Sequence, residues 1–211
     1  MAQRTPIPLQ CPACGEGMIA GSTSYSFDTF VIGWSDGRGC QIPRSRKHSV
    51  LWTCPARGCG RVSREDEMAR ADDAENYAVE PRFEDYVIYG DKRCHEGDLH
   101  AAFSGYLLAF WRMNDPMRIV SSSEYFRTSH ITFKINQKGL GLVGKLRSLL
   151  QMSDSSDRLL AAELARQQSQ FSLATELADI AEEDKNLIKL RDTILRCSDM
   201  QLPIVTQIPW G

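Results

Sequence analysis

The sequence predicts an α+β protein, a small antiparallel β unit at the N-terminus followed by a mainly α-helical domain. Three observations carry that expectation. Two cysteine-bearing turns, Cys11-Pro12-Ala13-Cys14-Gly15 and Cys54-Pro55-Ala56-Arg57-Gly58-Cys59-Gly60, flank a stretch rich in β-branched and aromatic residues. Beyond Gly90, apolar residues recur at i, i+3 and i+4 almost to the end, the period of helices that bury one face. Between these regions lies an acidic segment carrying Pro81. The expected organisation is residues 1–66 as the β unit with a basic loop, 67–90 as an acidic linker with a short helix, 91–200 as the helical domain, and 201–211 as an extended apolar tail.

In order along the chain, Pro6 and Pro8 mark an extended lead-in. Met18-Ile19-Ala20 starts a short strand, and residues 26–34 suit another, ending at Ser35-Asp36-Gly37, whose Asp-Gly pair is a turn signal. Residues 49–53 form the strand that delivers Cys54. Four thiolates on two glycine-bearing turns is the donor set of a closed, tetrahedral structural zinc site. Together with the strands it describes a zinc ribbon holding structural Zn2+ on Cys11, Cys14, Cys54 and Cys59. The second turn is wide, with four residues between its cysteines, so Cys40 and His48 in the intervening loop stand as substitutes for the fourth ligand. So small a β unit buries little apolar surface, and metal binding supplies much of its folding free energy.

The helical half begins with residues 95–114, where Leu99, Phe103, Tyr106, Leu107, Phe110 and Trp111 share a face and Pro116 is the expected stop. Gly139, Gly141 and Gly144 read as a loop, overlapping a helix over 140–150. The residues Ser153-Asp154-Ser155-Ser156 are N-cap types that open the next helix. Residues 157–168 and 171–181 form a helix pair, and Leu187, Leu190, Ile194 and Leu195 mark a last helix. The tail, Leu202-Pro203-Ile204-Val205-Thr206-Gln207-Ile208-Pro209-Trp210, is apolar and proline-bounded, hence extended.

Composition narrows the setting. A chain of 211 residues suits one sizeable domain and a small one. The N-terminus lacks the apolar core of a secretory signal, and residues 101–111 fall far short of the ~20 residues of a membrane span. Seven cysteines, four in knuckle spacing, fit a reducing compartment, so the expectation is a cytoplasmic protein without a membrane. The net charge of −2 hides two blocks. Residues 38–64 hold Arg38, Arg44, Arg46, Lys47, Arg57, Arg61 and Arg64 and no acid, a footprint for nucleic acid or another polyanion. Residues 65–98 carry a net charge of −8 and offer those cations an internal counterpart, as does the double negative charge of a zinc tetrathiolate.

Two resemblances add to this reading. Residues 164–174, Leu-Ala-Arg-Gln-Gln-Ser-Gln-Phe-Ser-Leu-Ala, resemble a tetratricopeptide-type turn. Ala162, Phe171, Ala174 and Ala181 stand where that repeat takes small, aromatic, small and small residues, with Ser169 in place of its usual glycine. Only one such unit is present, and a plain helical hairpin reads equally well. More widely, Cys11-Pro12-Ala13-Cys14-Gly15, Gly21-Ser22-Thr23, Trp34-Ser35-Asp36-Gly37, the second cysteine turn, residues 107–116 and Ala162-Glu163-Leu164-Ala165-Arg166 with Phe171 follow one another in a familiar order. That order is similar to a group of bacterial proteins, uncharacterised in activity, that join a zinc ribbon to a tetratricopeptide-like helical region. The resemblance implies a bacterial cytoplasmic protein and implies no activity. In that group the second turn is normally Cys-x-x-Cys.

Catalytic chemistry finds little purchase. A catalytic zinc keeps a water-bearing position, which four thiolates fill. Cys94-His95-Glu96 invites a nucleophile–base reading at a helix start, but sequence neighbours do not create the spatial pair that chemistry requires. Gly139 to Lys145 lacks the spacing of a phosphate loop. His100 and His130 read as ordinary side chains and Cys197 as core. The leading expectation is therefore a non-enzymatic adaptor that binds a protein partner through its helical region. The alternative is a nucleic-acid-binding ribbon using the 38–64 cations, and an enzyme comes third. The Trp210 tail makes a homo-oligomer a further possibility.

Overall fold

The computed structural model describes residues 4–23, 35, 50–121, 137–181 and 183–205. The chain divides into two compact units, Met1–Phe30 with His48–Gly105, and Val31–Lys47 with Tyr106–Gly211. It is a mixed α/β molecule, with small sheets and a cysteine cluster first and helices after.

In the first unit, strand β1 (Arg4–Gln10) pairs antiparallel with β2 (Gly17–Thr23), Arg4 opposite Thr23 and Gln10 opposite Gly17. Strands β3 (Leu51–Thr53) and β4 (Val62–Arg64) form a second antiparallel pair. Each cysteine turn is thus the loop of its own hairpin. Two short strands complete the first sheet, β5 (Ala69–Arg70) on β1 and β6 (Asn76–Tyr77) parallel to β2, in the order β5-β1-β2-β6. The lead-in is therefore a paired strand despite its prolines. The Pro8 carbonyl accepts from Ala71 N at 3.2 Å, so Pro8, and Pro6 two positions before it, turn their backbone away from β2. Their missing N–H groups cost no rung of the β1–β2 ladder.

The core under these strands is Leu9, Met18, Ala20 and Met68 with Cys11 and Cys54. Residues 26–34, expected as a strand, and the turn residues Asp36 and Gly37 lie outside the described residues. Where a short helix was expected after Arg64 there is a single 3-10 turn, Glu65–Glu67. Helix α1 (Phe83–His95) runs from the expected linker across Gly90 into the expected helical domain. Helix α2 (Leu99–Ser121) follows, and it approaches α1 so closely that a Cβ on Gly105 would lie 3.0 Å from the Gly90 nitrogen and the Tyr86 oxygen.

Pro116 lies inside α2 rather than ending it. Pro116 has no N–H to offer the Arg112 carbonyl, and both residues lie on the exposed side of the helix. Leu99, expected on the apolar face, is 53% exposed.

The second unit holds α3 (Gln137–Ser148), α4 (Ser155–Gln167), α5 (Phe171–Ala178) and α6 (Lys185–Asp199). Gly139, Gly141 and Gly144 are helical, not looped, because Leu142, Val143 and Leu146 bury one face of α3. Asp154 caps α4 by accepting from Asp157 N at 2.9 Å, and Asp184 caps α6. Leu159 and Ala162 of α4, Ala178 of α5, and Leu187, Leu190 and Ile194 of α6 make the core. Helix α5 stops three residues early, which leaves Ala181 exposed.

The apolar tail is not free over its described part. Ile204 and Val205 are buried, and the Leu202 and Ile204 carbonyls accept from Arg166. Trp210 lies outside the described residues. No helix among the described residues is long and apolar enough to cross a membrane.

Candidate metal centre

The two hairpin loops bring Cys11, Cys14, Cys54 and Cys59 together, with all four sulfurs within 4.8 Å of one another. Strands β1 and β3 deliver the buried Cys11 and Cys54, while the turns supply the exposed Cys14 and the half-buried Cys59. Each loop is closed by its own backbone hydrogen bond. Gly15 N donates to the Cys11 carbonyl at 2.9 Å, and Cys59 N donates to the Ala56 carbonyl at 3.0 Å. Gly15 (φ +75°), Gly58 (φ +87°) and Gly60 (φ +55°) take left-handed conformations that side chains resist, which is why glycine punctuates both turns. Beside the second turn, Trp52 Nε1 donates to Glu65 Oε2 at 3.0 Å and anchors β3.

The sulfur spacing is that of a coordination shell. A tetrahedral ion with metal–sulfur bonds of about 2.3 Å separates its sulfurs by about 3.8 Å. Cys11 and Cys59 stand 3.8 Å apart, and Cys14 and Cys54 3.7 Å apart. The all-sulfur donor set favours a thiophilic ion and is consistent with zinc. Burial pushes the Cys54 thiol well above its ordinary range. Burial acts the same way on Cys11, but the Ala13 and Cys14 amides and the neighbouring thiols outweigh it and lower that thiol to about 7. A bound cation would remove the remaining protons and turn four competing thiols into mutually supporting thiolates.

The substitutes Cys40 and His48 lie outside the described residues, as do Arg38, Arg44, Arg46 and Lys47 of the basic block. Arg57 and Arg61 are exposed on the second turn. Arg64 instead pairs with Asp66, its neighbour two positions on at the start of the acidic segment. Cys94 and His95 are exposed at the C-terminal end of α1, so the helix-start reading lapses. His100 is exposed and Cys197 buried, while His130 lies outside the described residues.

A second polar cluster went unread in the sequence. Glu163 and Arg166 of α4, neither exposed, pair at 2.6 Å. Ser35 Oγ donates to Glu163 Oε1 at 3.0 Å, and Gln167 Nε2 donates to the same oxygen at 2.8 Å. The available signal was a glutamate and an arginine three apart inside an alanine- and leucine-rich helix.

Compared with protein-family models, curated proteins and solved structures, the chain matches none.

Proposed function

We propose that the chain is a non-enzymatic adaptor. Structural zinc on Cys11, Cys14, Cys54 and Cys59 stiffens the N-terminal β unit as a ribbon, and the helical unit binds a protein partner. The observation that carries this reading is the sulfur cluster, since four thiolates complete a tetrahedral shell and leave no place for water or substrate. The α4–α5 hairpin supports the second half. Ala162 and Ala174 are fully buried, Phe171 is half-buried, and Ser169 takes the left-handed turn conformation. On this reading the hairpin is tetratricopeptide-like, its outer face is the exposed Ser172, Thr175 and Glu176 of α5, and the chain is a cytoplasmic member of the bacterial group it resembles. The test is capture of partners from the native host with the full chain and with a Thr175→Arg/Glu176→Arg variant. A protein captured by the first and lost with the second, at equal zinc content, is expected. No protein above background, or an identical set from both, overturns the reading.

A second reading is favoured by Arg57 and Arg61, exposed and without an ion-pair partner among the described residues. On it the ribbon binds nucleic acid through phosphates. The Arg57→Ala/Arg61→Ala variant then binds more weakly, and the slope of log affinity against log salt falls by about 2. An unchanged slope removes this alternative.

A further inference from the structure

We infer that the buried cluster of Glu163, Arg166 and Gln167 on α4 is a receptor for main-chain carbonyls, filled in cis by residues 202–205, and that residues 202–205 of a second copy can fill it instead. The inference is independent of the metal.

Arg166 is fully buried, and its guanidinium donates to the Leu202 carbonyl and, at 2.7 Å, to the Ile204 carbonyl. Both carbonyls face this one guanidinium, with the chain bending at Ile204. One planar fork therefore reads the segment through its backbone, and the buried side chains of Ile204 and Val205 add only apolar fit. Glu163 sets the fork, accepting Arg166 Nε at 2.8 Å, and Gln167 and Ser35 complete the carboxylate's partners.

Such a receptor resists standing vacant. Removing the segment strips two acceptors from a buried guanidinium, and unsatisfied buried donors are costly. The segment that leaves opens this guanidinium to water, and an equivalent segment restores both acceptors. The segment that matches in every contact is the same residues of another molecule, and exchange of identical elements is a low-cost route to a dimer.

The end of α6 supplies the joint. Helix α6 closes with Gln201 N on the Ser198 carbonyl at 3.0 Å and Leu202 N on the Cys197 carbonyl at 2.8 Å. Gln201 between them holds φ at +52°, a left-handed conformation a non-glycine residue resists. Relaxing that one residue to an ordinary φ redirects the segment away from its own α4.

The test uses the full chain carrying two different affinity tags, mixed at high concentration, warmed, diluted, and read by sequential capture and light scattering. Mixed-tag dimers are expected. Gln201→Pro, which enforces a φ near −65°, raises the dimer fraction at least fivefold, whereas Gln201→Gly, which accepts the positive φ, lowers it. Absence of mixed-tag species in wild type overturns the inference, whether or not Gln201→Pro folds. So does a dimer fraction equal in wild type and Gln201→Gly.

Discussion

The guanidinium of Arg158 caps a helix to which it does not belong. Its Nε donates to the Leu177 carbonyl at 3.0 Å, and its Nη2 donates to the Glu176 and Asp179 carbonyls at 3.1 Å each. Helix α5 is eight residues long and has no basic residue in its last turn. Within its own backbone the Glu176 carbonyl has only a long bond, 3.4 Å from Asp179 N, and the negative end of the helix dipole favours a cation. Arg158 reaches across from α4 to supply a further donor and that cation, and Arg191 of α6 adds a bond to the Ile180 carbonyl at 3.3 Å.

Arg158→Ala should therefore destabilise the chain by about 1–2 kcal/mol, the lower range for charged hydrogen bonds because the site is partly exposed. Arg158→Lys should recover only part, since an ammonium cannot fork over three carbonyls. Urea unfolding of the full chain measures both, and a loss under a few tenths of a kcal/mol for Arg158→Ala refutes the capping role.

The turn between α4 and α5 makes a prediction of opposite sign. Ser169 is exposed with φ +61°, and Gln170 N closes the turn on the Ala165 carbonyl at 2.9 Å. Ser169→Gly relieves the left-handed strain and should stabilise by about 0.5–1 kcal/mol, net of the entropy glycine adds to the unfolded chain. The midpoint of thermal or urea unfolding reads it directly, and a lower midpoint contradicts the turn geometry.

The four cysteines and the last three helices were legible because their signals are local. Spacing of thiols on glycine turns specifies a donor set, and the period of Leu187, Leu190 and Ile194 specifies a face. What escaped depended on contacts distant in sequence. Helix α1 hides behind Gly90, which reads as a breaker and serves instead to admit Gly105 of α2. The helix runs on through Pro116 on the exposed side of α2, and which side is buried is set by distant packing. The prolines of β1 suggested an unpaired lead-in because sequence does not say which edge of a strand stays open. The tail read as exposed because Arg166, some forty positions earlier, announces nothing about whose carbonyls it will hold.

Acid should expose the cap of α1. Asp85 Oδ2 accepts from Arg82 N at 2.9 Å, and the Arg82 guanidinium beside it holds the Asp85 carboxyl below its ordinary range. A depressed folded value stabilises the protein at pH above the unfolded carboxylate's pKa, near 4, and that contribution fades as pH falls through the folded value. Asp85→Asn should be less stable than wild type at pH 7 by about 0.5 kcal/mol, modest because Arg82 is largely exposed. The gap should close as pH falls through the lowered folded value. Comparing the two chains at each pH cancels the acid sensitivity of the metal centre common to both, and a gap that widens in acid contradicts the assignment.

The central claim is that sulfurs from two separate hairpins close around one ion, and metal analysis of the purified full chain tests it most directly. About one zinc per chain is expected, lost in Cys54→Ser, with a chelator lowering the unfolding temperature of wild type because the cysteines are part of the β core. Protein purified without a stoichiometric thiophilic metal, and a melting curve indifferent to chelator, would contradict it.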